Sequence, residues 1–117
     1  MSASPNPSTS FQRPEPPYYA VIITTLPSGE DPEGYADANV RMGALSQKWP
    51  GYLGRESESG PDGRDLLVVY YQDAESIAAW KQDPEHLEVQ RLGRERWYAS
   101  YSVEVARVER AYGFVRD

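Results

Sequence analysis

The chain holds one histidine, His86. Imidazole is the side chain whose ordinary pKa lies nearest neutrality, so it is the first place to look for a proton acceptor. His86 follows Asp83-Pro84-Glu85, a helix-start pattern, and so falls in a first helical turn, where the dipole favours the neutral ring. Two roles fit it: a general base, or a structural histidine whose ring packs on Trp80 and bonds a carbonyl. Trp80 follows Ile77 at a spacing that suits core packing and equally the wall of an aromatic pocket. Tyr70 and Tyr71 are neighbours on a predicted strand and must point to opposite faces of the sheet. One faces the helices and the other the helix-free side, where its hydroxyl can donate to a substrate oxygen or simply need a partner because it is buried.

A second aromatic group gathers at the entry to the last predicted strand. Trp97, Tyr98 and Tyr101 stand there beside Arg94 and Arg96. Aromatic faces next to guanidinium groups can hold a planar anionic ligand. The same residue types favour subunit interfaces. Arg107, further along, can stabilise an anion inside a closed barrel or be a solvated charge on an edge strand. Other chemistries find no support. The chain has no cysteine, which removes disulfides, thiolate catalysis and thiolate metal ligands. A single histidine then leaves no zinc set, so no metal is expected. Gly29, Gly34, Gly43, Gly51 and Gly54 form no phosphate-binding loop. The serines lie mostly in the N-terminal segment and in turns, without a nucleophile elbow. Glu56 and Glu58 share one face of a polar strand and read as solvated.

These groups need a frame. A length of 117 residues with 39% hydrophobic content suits one domain with one core. A net charge of -6 argues against a nucleic-acid binder, which needs a basic stripe, and against docking on anionic membranes. No apolar run approaches the ~20 residues of a membrane span. The N-terminus shows no basic region leading into an apolar one, so no signal peptide is expected, and the cysteine-free composition suits a cytoplasmic location.

Met1 to Pro17 is rich in Ser, Pro and Asn, with Phe11 its one large apolar residue, and reads as a flexible tail that Phe11 can anchor on a partner subunit. The domain then runs over 18–117. Tyr18 to Leu26 is a β-branched and aromatic strand. Asp31-Pro32-Glu33 starts a helix whose stripe is Tyr35, Ala38, Met42, Leu45 and Trp49, stopped by Pro50-Gly51. Tyr52 to Ser59 is a polar strand near an edge. Gly60-Pro61-Asp62-Gly63 turns the chain into Asp65 to Tyr71, whose run from Leu66 is apolar and aromatic throughout. Asp73 caps a short helix, and Asp83-Pro84-Glu85 restarts it with a bend. Tyr98 to Tyr112 is a long last strand, with a bulge near Ala106-Arg107 where the apolar phase shifts. The order βαββαβ is α+β and ferredoxin-like, one antiparallel sheet with its helices on one face. Two strands greasy on both faces need cover on the helix-free side, and a second copy of the chain is the simplest cover.

The pattern Val68-Val69-Tyr70-Tyr71, Ile77, Trp80 and His86, closing on Glu109-Arg110-Ala111-Tyr112 and Phe114, with Pro50-Gly51-Tyr52 before the second strand, resembles the antibiotic biosynthesis monooxygenase (ABM) superfamily of dimeric α+β barrels. The likeness covers Tyr18 to Phe114. It implies a homodimer and, in one branch, oxygenation without a cofactor: a small aromatic phenol or quinol loses a proton and the anion passes an electron to dioxygen. His86, Tyr71 and Trp80 are then the expected catalytic residues, with Tyr70, Trp97, Tyr101 and Arg107 binding the substrate. In the haem-degrading branch a tryptophan closes the strand before the helix, and an iron-binding histidine follows the helix tryptophan. The corresponding positions here are Tyr71 and Gln90, which counts against haem. A dimer that only binds or shields a small hydrophobic molecule is the alternative.

Overall fold

A computed structural model describes residues 13–116. Most of the expected tail, Phe11 included, lies outside the described residues. From Arg13 onward the chain lies on the sheet: the Arg13 Nη2 donates to Glu56 Oε1 at 3.1 Å, and its guanidinium lies 5.7 Å from the centre of the Tyr70 ring.

The elements are β1 (Tyr18–Pro27), α1 (Pro32–Lys48), β2 (Tyr52–Ser59), β3 (Asp65–Tyr71), α2 (Ala74–Lys81), α3 (Pro84–Leu92), a π-helical turn (Gly93–Trp97) and β4 (Tyr98–Val108). The four strands form one sheet in the order β2-β3-β1-β4, every neighbouring pair antiparallel. This is the ferredoxin-like arrangement that the element order implies. β1 and β3, the most apolar strands, occupy the centre, and the polar β2 lies at an edge.

Local chemistry sets the helix starts. Asp31, Asp73 and Asp83 each accept a backbone N–H from the first turn of the following helix, satisfying donors that a helix start otherwise leaves unpaired. Pro32 and Pro84 occupy first-turn positions, where the missing N–H costs nothing.

Strand alternation divides the core in two. On the helix side Val21, Val69 and Tyr71 pack with Ile77 and Trp80 of α2. On the opposite face Tyr18, Ala20 and Tyr70 form a second cluster with Ile22, Leu53, Val68 and Val108 around them. A third cluster, Ala38, Val89 and Trp97, joins α1 to α3. Each large side chain so buried contributes roughly 1.5–3 kcal/mol. The helix-free face still shows apolar surface, with Leu26 and Leu66 each 40% exposed.

β4 differs from its sequence expectation. It ends at Val108, and its pairing with β1 runs unbroken from Tyr101 to Val108. The irregularity lies instead at Leu26/Pro27. Tyr101, Val103 and Val105 pair with Thr25, Ile23 and Val21 and so share the helix side. Val108 pairs with Tyr18 on the other face and packs against the Tyr70 cluster. The change of apolar phase is therefore a change in which face is buried, without a slip in register.

Candidate active site

The helix side of the sheet and helices α1, α2 and α3 border a partly open cavity of about 380 Å³. Ile23, Leu67 and Val103 supply apolar surface from the sheet, and Met42, Trp80 and Val89 supply it from the helices. Tyr35, Tyr98 and Tyr101 add aromatic hydroxyls, while Asn39, Arg55, His86 and Gln90 add polar groups. A more open groove runs along the outer edge of β2, from Gln47 to Ser57, and Arg55 borders it as well as the cavity.

Three rings stand in a row at the α2 end of this space. The Tyr71 and Trp80 ring centres are 5.8 Å apart, and those of Trp80 and His86 are 4.1 Å apart. Ile77 and the strand end position them: Trp80 lies one turn beyond Ile77 on the inner face of α2, and Asp83 restarts the helix so that His86 turns back onto Trp80. Among the described residues, three buried side-chain polar atoms lack a hydrogen-bond partner: Tyr71 Oη, Trp80 Nε1 and His86 Nδ1. An unpaired buried polar group costs about 1–3 kcal/mol, so three in adjacent rings require a reason.

His86 is 8% exposed. Burial pushes its pKa below the ordinary value; the Asp83 carboxylate opposes that and the Lys81 ammonium reinforces it. Burial therefore favours the neutral ring over the imidazolium. The Tyr71 hydroxyl moves the other way, well above the ordinary phenol range, through burial first and the nearby Tyr52 hydroxyl second, with Arg55 opposing.

Tyr71 is wholly buried behind Trp80 and does not border the cavity. Tyr70 faces the helix-free side, where its hydroxyl donates to Glu56 Oε1 at 2.8 Å; burial and then Glu56 push its pKa up to about 12. The sequence reading looks for the substrate on that side, but Trp80 and His86 lie on the helix side, because α2 and α3 pack against the odd-numbered residues of β1 and β3. Glu56 is thus engaged by Tyr70 and Arg13, where the sequence suggests a solvated carboxylate. Trp97 is a core residue whose Nε1 donates to Asp31 Oδ2 at 3.0 Å, tying the π turn to the start of α1. Tyr101 reaches the cavity and meets Tyr98 edge-on at 5.5 Å. Arg107 is exposed on β4, beyond the helices, with Glu109 3.8 Å away. The cation that does line the cavity is Arg55, which the sequence reading passes over.

Gly93 explains how Tyr98 reaches the rim. A Cβ at Gly93 would fall 2.3 Å from the Tyr98 ring, so only glycine lets the ring fold against the π turn. Haem does not fit the residues present. Gln90 borders the cavity where the haem-degrading branch has its iron ligand, and an amide is a poor ligand for iron. The His86 ring is stacked on Trp80 instead.

No protein-family model matches the chain. It is 43% identical over 97 residues to the uncharacterized protein YqjZ of Bacillus subtilis, spanning 83% of this chain and 84% of that protein. Among solved structures, a candidate antibiotic biosynthesis monooxygenase of Deinococcus radiodurans superposes with a TM-score of 0.74 at 10% identity, over 84% of this chain and 99% of the other. SnoaB, a cofactor-independent oxygenase from Streptomyces nogalater, superposes with a TM-score of 0.70 at 11% identity, over 80% and 95%. Rv0793 from Mycobacterium tuberculosis superposes with a TM-score of 0.70 at 18% identity, over 81% and 99%.

Proposed function

The chain belongs to the family of the Bacillus subtilis protein YqjZ and to the antibiotic biosynthesis monooxygenase fold superfamily, and on that premise we propose that it is a cofactor-independent monooxygenase of a small aromatic phenol or quinol. The name of SnoaB supports the reaction type. The observation that carries the reading is the row of unpartnered polar atoms beside an aromatic-lined cavity. Trp80 and His86 of that row line the cavity, so a hydroxyaryl ring bound there lies against both.

In this reading His86, kept neutral by burial, takes the phenolic proton, and the phenolate left beside it offsets the cost of the buried imidazolium. The substrate anion passes an electron to dioxygen, the radical pair recombines to a ring peroxide, and its O–O bond breaks as the C–H proton on the same carbon is lost. The second oxygen leaves as water. All four electrons come from the substrate, whose reacting C–H₂ or C–H/O–H pair becomes a carbonyl. Trp80 provides the face on which the ring lies, and the apolar walls exclude water. Tyr71 is a positioning residue that holds Trp80 from behind. Trp97 and Arg107 have no part in this step.

The proposal includes a homodimer in an otherwise empty-handed fold: Val103 and Val105 of β4 are 42% and 51% exposed, and the helix-free face carries further apolar surface. A second copy is the cover that closes both.

The test is oxygen uptake with anthrone-type and hydroquinone substrates. His86→Ala should lower turnover by about 10²-fold or more, with circular dichroism unchanged. Turnover that survives His86→Ala removes His86 as the base. Tight binding of the same aromatics with no oxygen uptake would replace the enzyme by a binding protein.

A further inference from the structure

We propose that Arg55 makes the cavity selective for aromatic molecules that carry an anionic oxygen group, a carboxylate or an ionised phenol, with the guanidinium gripping that group. This deepens the reading of the cavity as an aromatic-binding site and rests on it.

The placement of Arg55 carries the inference. It pairs with Val69 across β2–β3 and therefore faces the helix side, where Ile23, Leu67 and Val103 line the cavity together with the polar Ser57, Ser59 and Asp65. Among the described residues that line the cavity it is the only lysine or arginine. The rest of the molecule accommodates it. Gly43 lies inside α1, where glycine weakens a helix. A Cβ there would fall 2.6 Å from Arg55 Nη1, so the missing side chain is the space the guanidinium fills. The helix is notched for this one group.

Asp65, which also borders the cavity, accepts from the Tyr35 hydroxyl at 2.6 Å and from the Ser59 hydroxyl at 2.7 Å. Glu58, paired with Leu66 at the alternate register position, borders the cavity as well. A guanidinium has five N–H donors in a planar fork, so contacts with the protein leave it able to hold a ligand oxygen. Its charge is felt inside the wall: it works against burial at both the Tyr52 and the Tyr71 hydroxyls. In a chain of net charge -6, an anion enters such a cavity only against a dedicated cation.

The probes are 1-hydroxy-2-naphthoate, ionised at pH 7, and 2-naphthol, neutral at pH 7, titrated by calorimetry at low salt. The native protein should bind the naphthoate at least ~10-fold more tightly, the range of one charged hydrogen-bond pair. Arg55→Gln should abolish that preference and leave naphthol affinity within about two-fold, while Arg55→Lys should keep only part of it, because the fork is lost. Gly43→Ala offers a second route: it favours the helix and displaces the guanidinium, so it too should erode the preference even if Arg55→Gln fails to fold. Naphthol binding with no preference for the naphthoate, or a preference that persists in Arg55→Gln or Gly43→Ala, overturns the role of Arg55 while leaving the cavity reading intact. Binding of neither probe to the native protein removes the cavity reading and this inference together.

Discussion

Two adjacent tyrosines should respond in opposite directions to the loss of one oxygen atom. Tyr71 is fully buried and its hydroxyl has no partner, whereas the Tyr70 hydroxyl donates to the Glu56 carboxylate. Removing an unsatisfied buried hydroxyl recovers a desolvation penalty of about 1–3 kcal/mol, less the few tenths lost with the oxygen's own van der Waals contacts. Tyr71→Phe should therefore stabilise the fold by roughly 1 kcal/mol, which raises Tm by about 4–8 °C in a domain of this size. Tyr70→Phe removes a bond to a charged group at a partly solvated site and should destabilise by about 1 kcal/mol. Urea unfolding followed by circular dichroism measures both, at one fixed protein concentration so that association does not enter the comparison. If Tyr71→Phe loses more than about 0.5 kcal/mol, the hydroxyl is satisfied in solution, by buried water for example, and the desolvation penalty assigned to it is absent.

Stability should also depend on pH through His86. Its folded pKa lies below its unfolded value, so the unfolded chain binds the proton first on acidification. The contribution is complete above about pH 6.5 and is lost as pH falls from there toward the folded value; His86→Phe should flatten that limb of a stability–pH curve, and a limb unchanged in the variant would count against a buried neutral ring. Gly93→Ala should destabilise by about 1–3 kcal/mol, because the new methyl group meets the Tyr98 ring, and Gly93→Ala with Tyr98→Ala should recover part of it; full additivity would show that the two do not touch. Val105→Lys, on the exposed helix side of β4, should shift sedimentation from dimer to monomer. A native protein that sediments as a monomer at micromolar concentration would end the homodimer reading.

Much of this frame could be read from residue order. The three aspartate caps, the two Asp-Pro-Glu starts and the apolar runs of β1 and β3 all carry local signals with one structural meaning. The pairing of Trp80 with His86 followed from the restarted helix. The side of the sheet that holds the cavity did not, because an apolar run of period two marks two buried faces without saying which one meets helices. Arg55 was hidden for a related reason. Its neighbours on β2 are polar, and only the register with Val69 shows that it points inward. The one trace of it in the sequence was Gly43, a glycine inside an otherwise good helix, which signals a close approach from elsewhere. Trp97 looked like a ligand or interface group because its partner, Asp31, lies far away in the chain and already served as a helix cap. The false bulge in β4 came from reading a shift of apolar phase as a shift of backbone.

The position of β1 governs how the chain can assemble as it is made. β1 lies between β3 and β4, and Tyr18 is paired with Val108. While a ribosome is still adding the residues of β4, the greasiest strand has one flank without a neighbour, so native closure waits for late translation. Contacts between segments so far apart in the chain also form slowly. The interval before that closure is when a chaperone has most to shield.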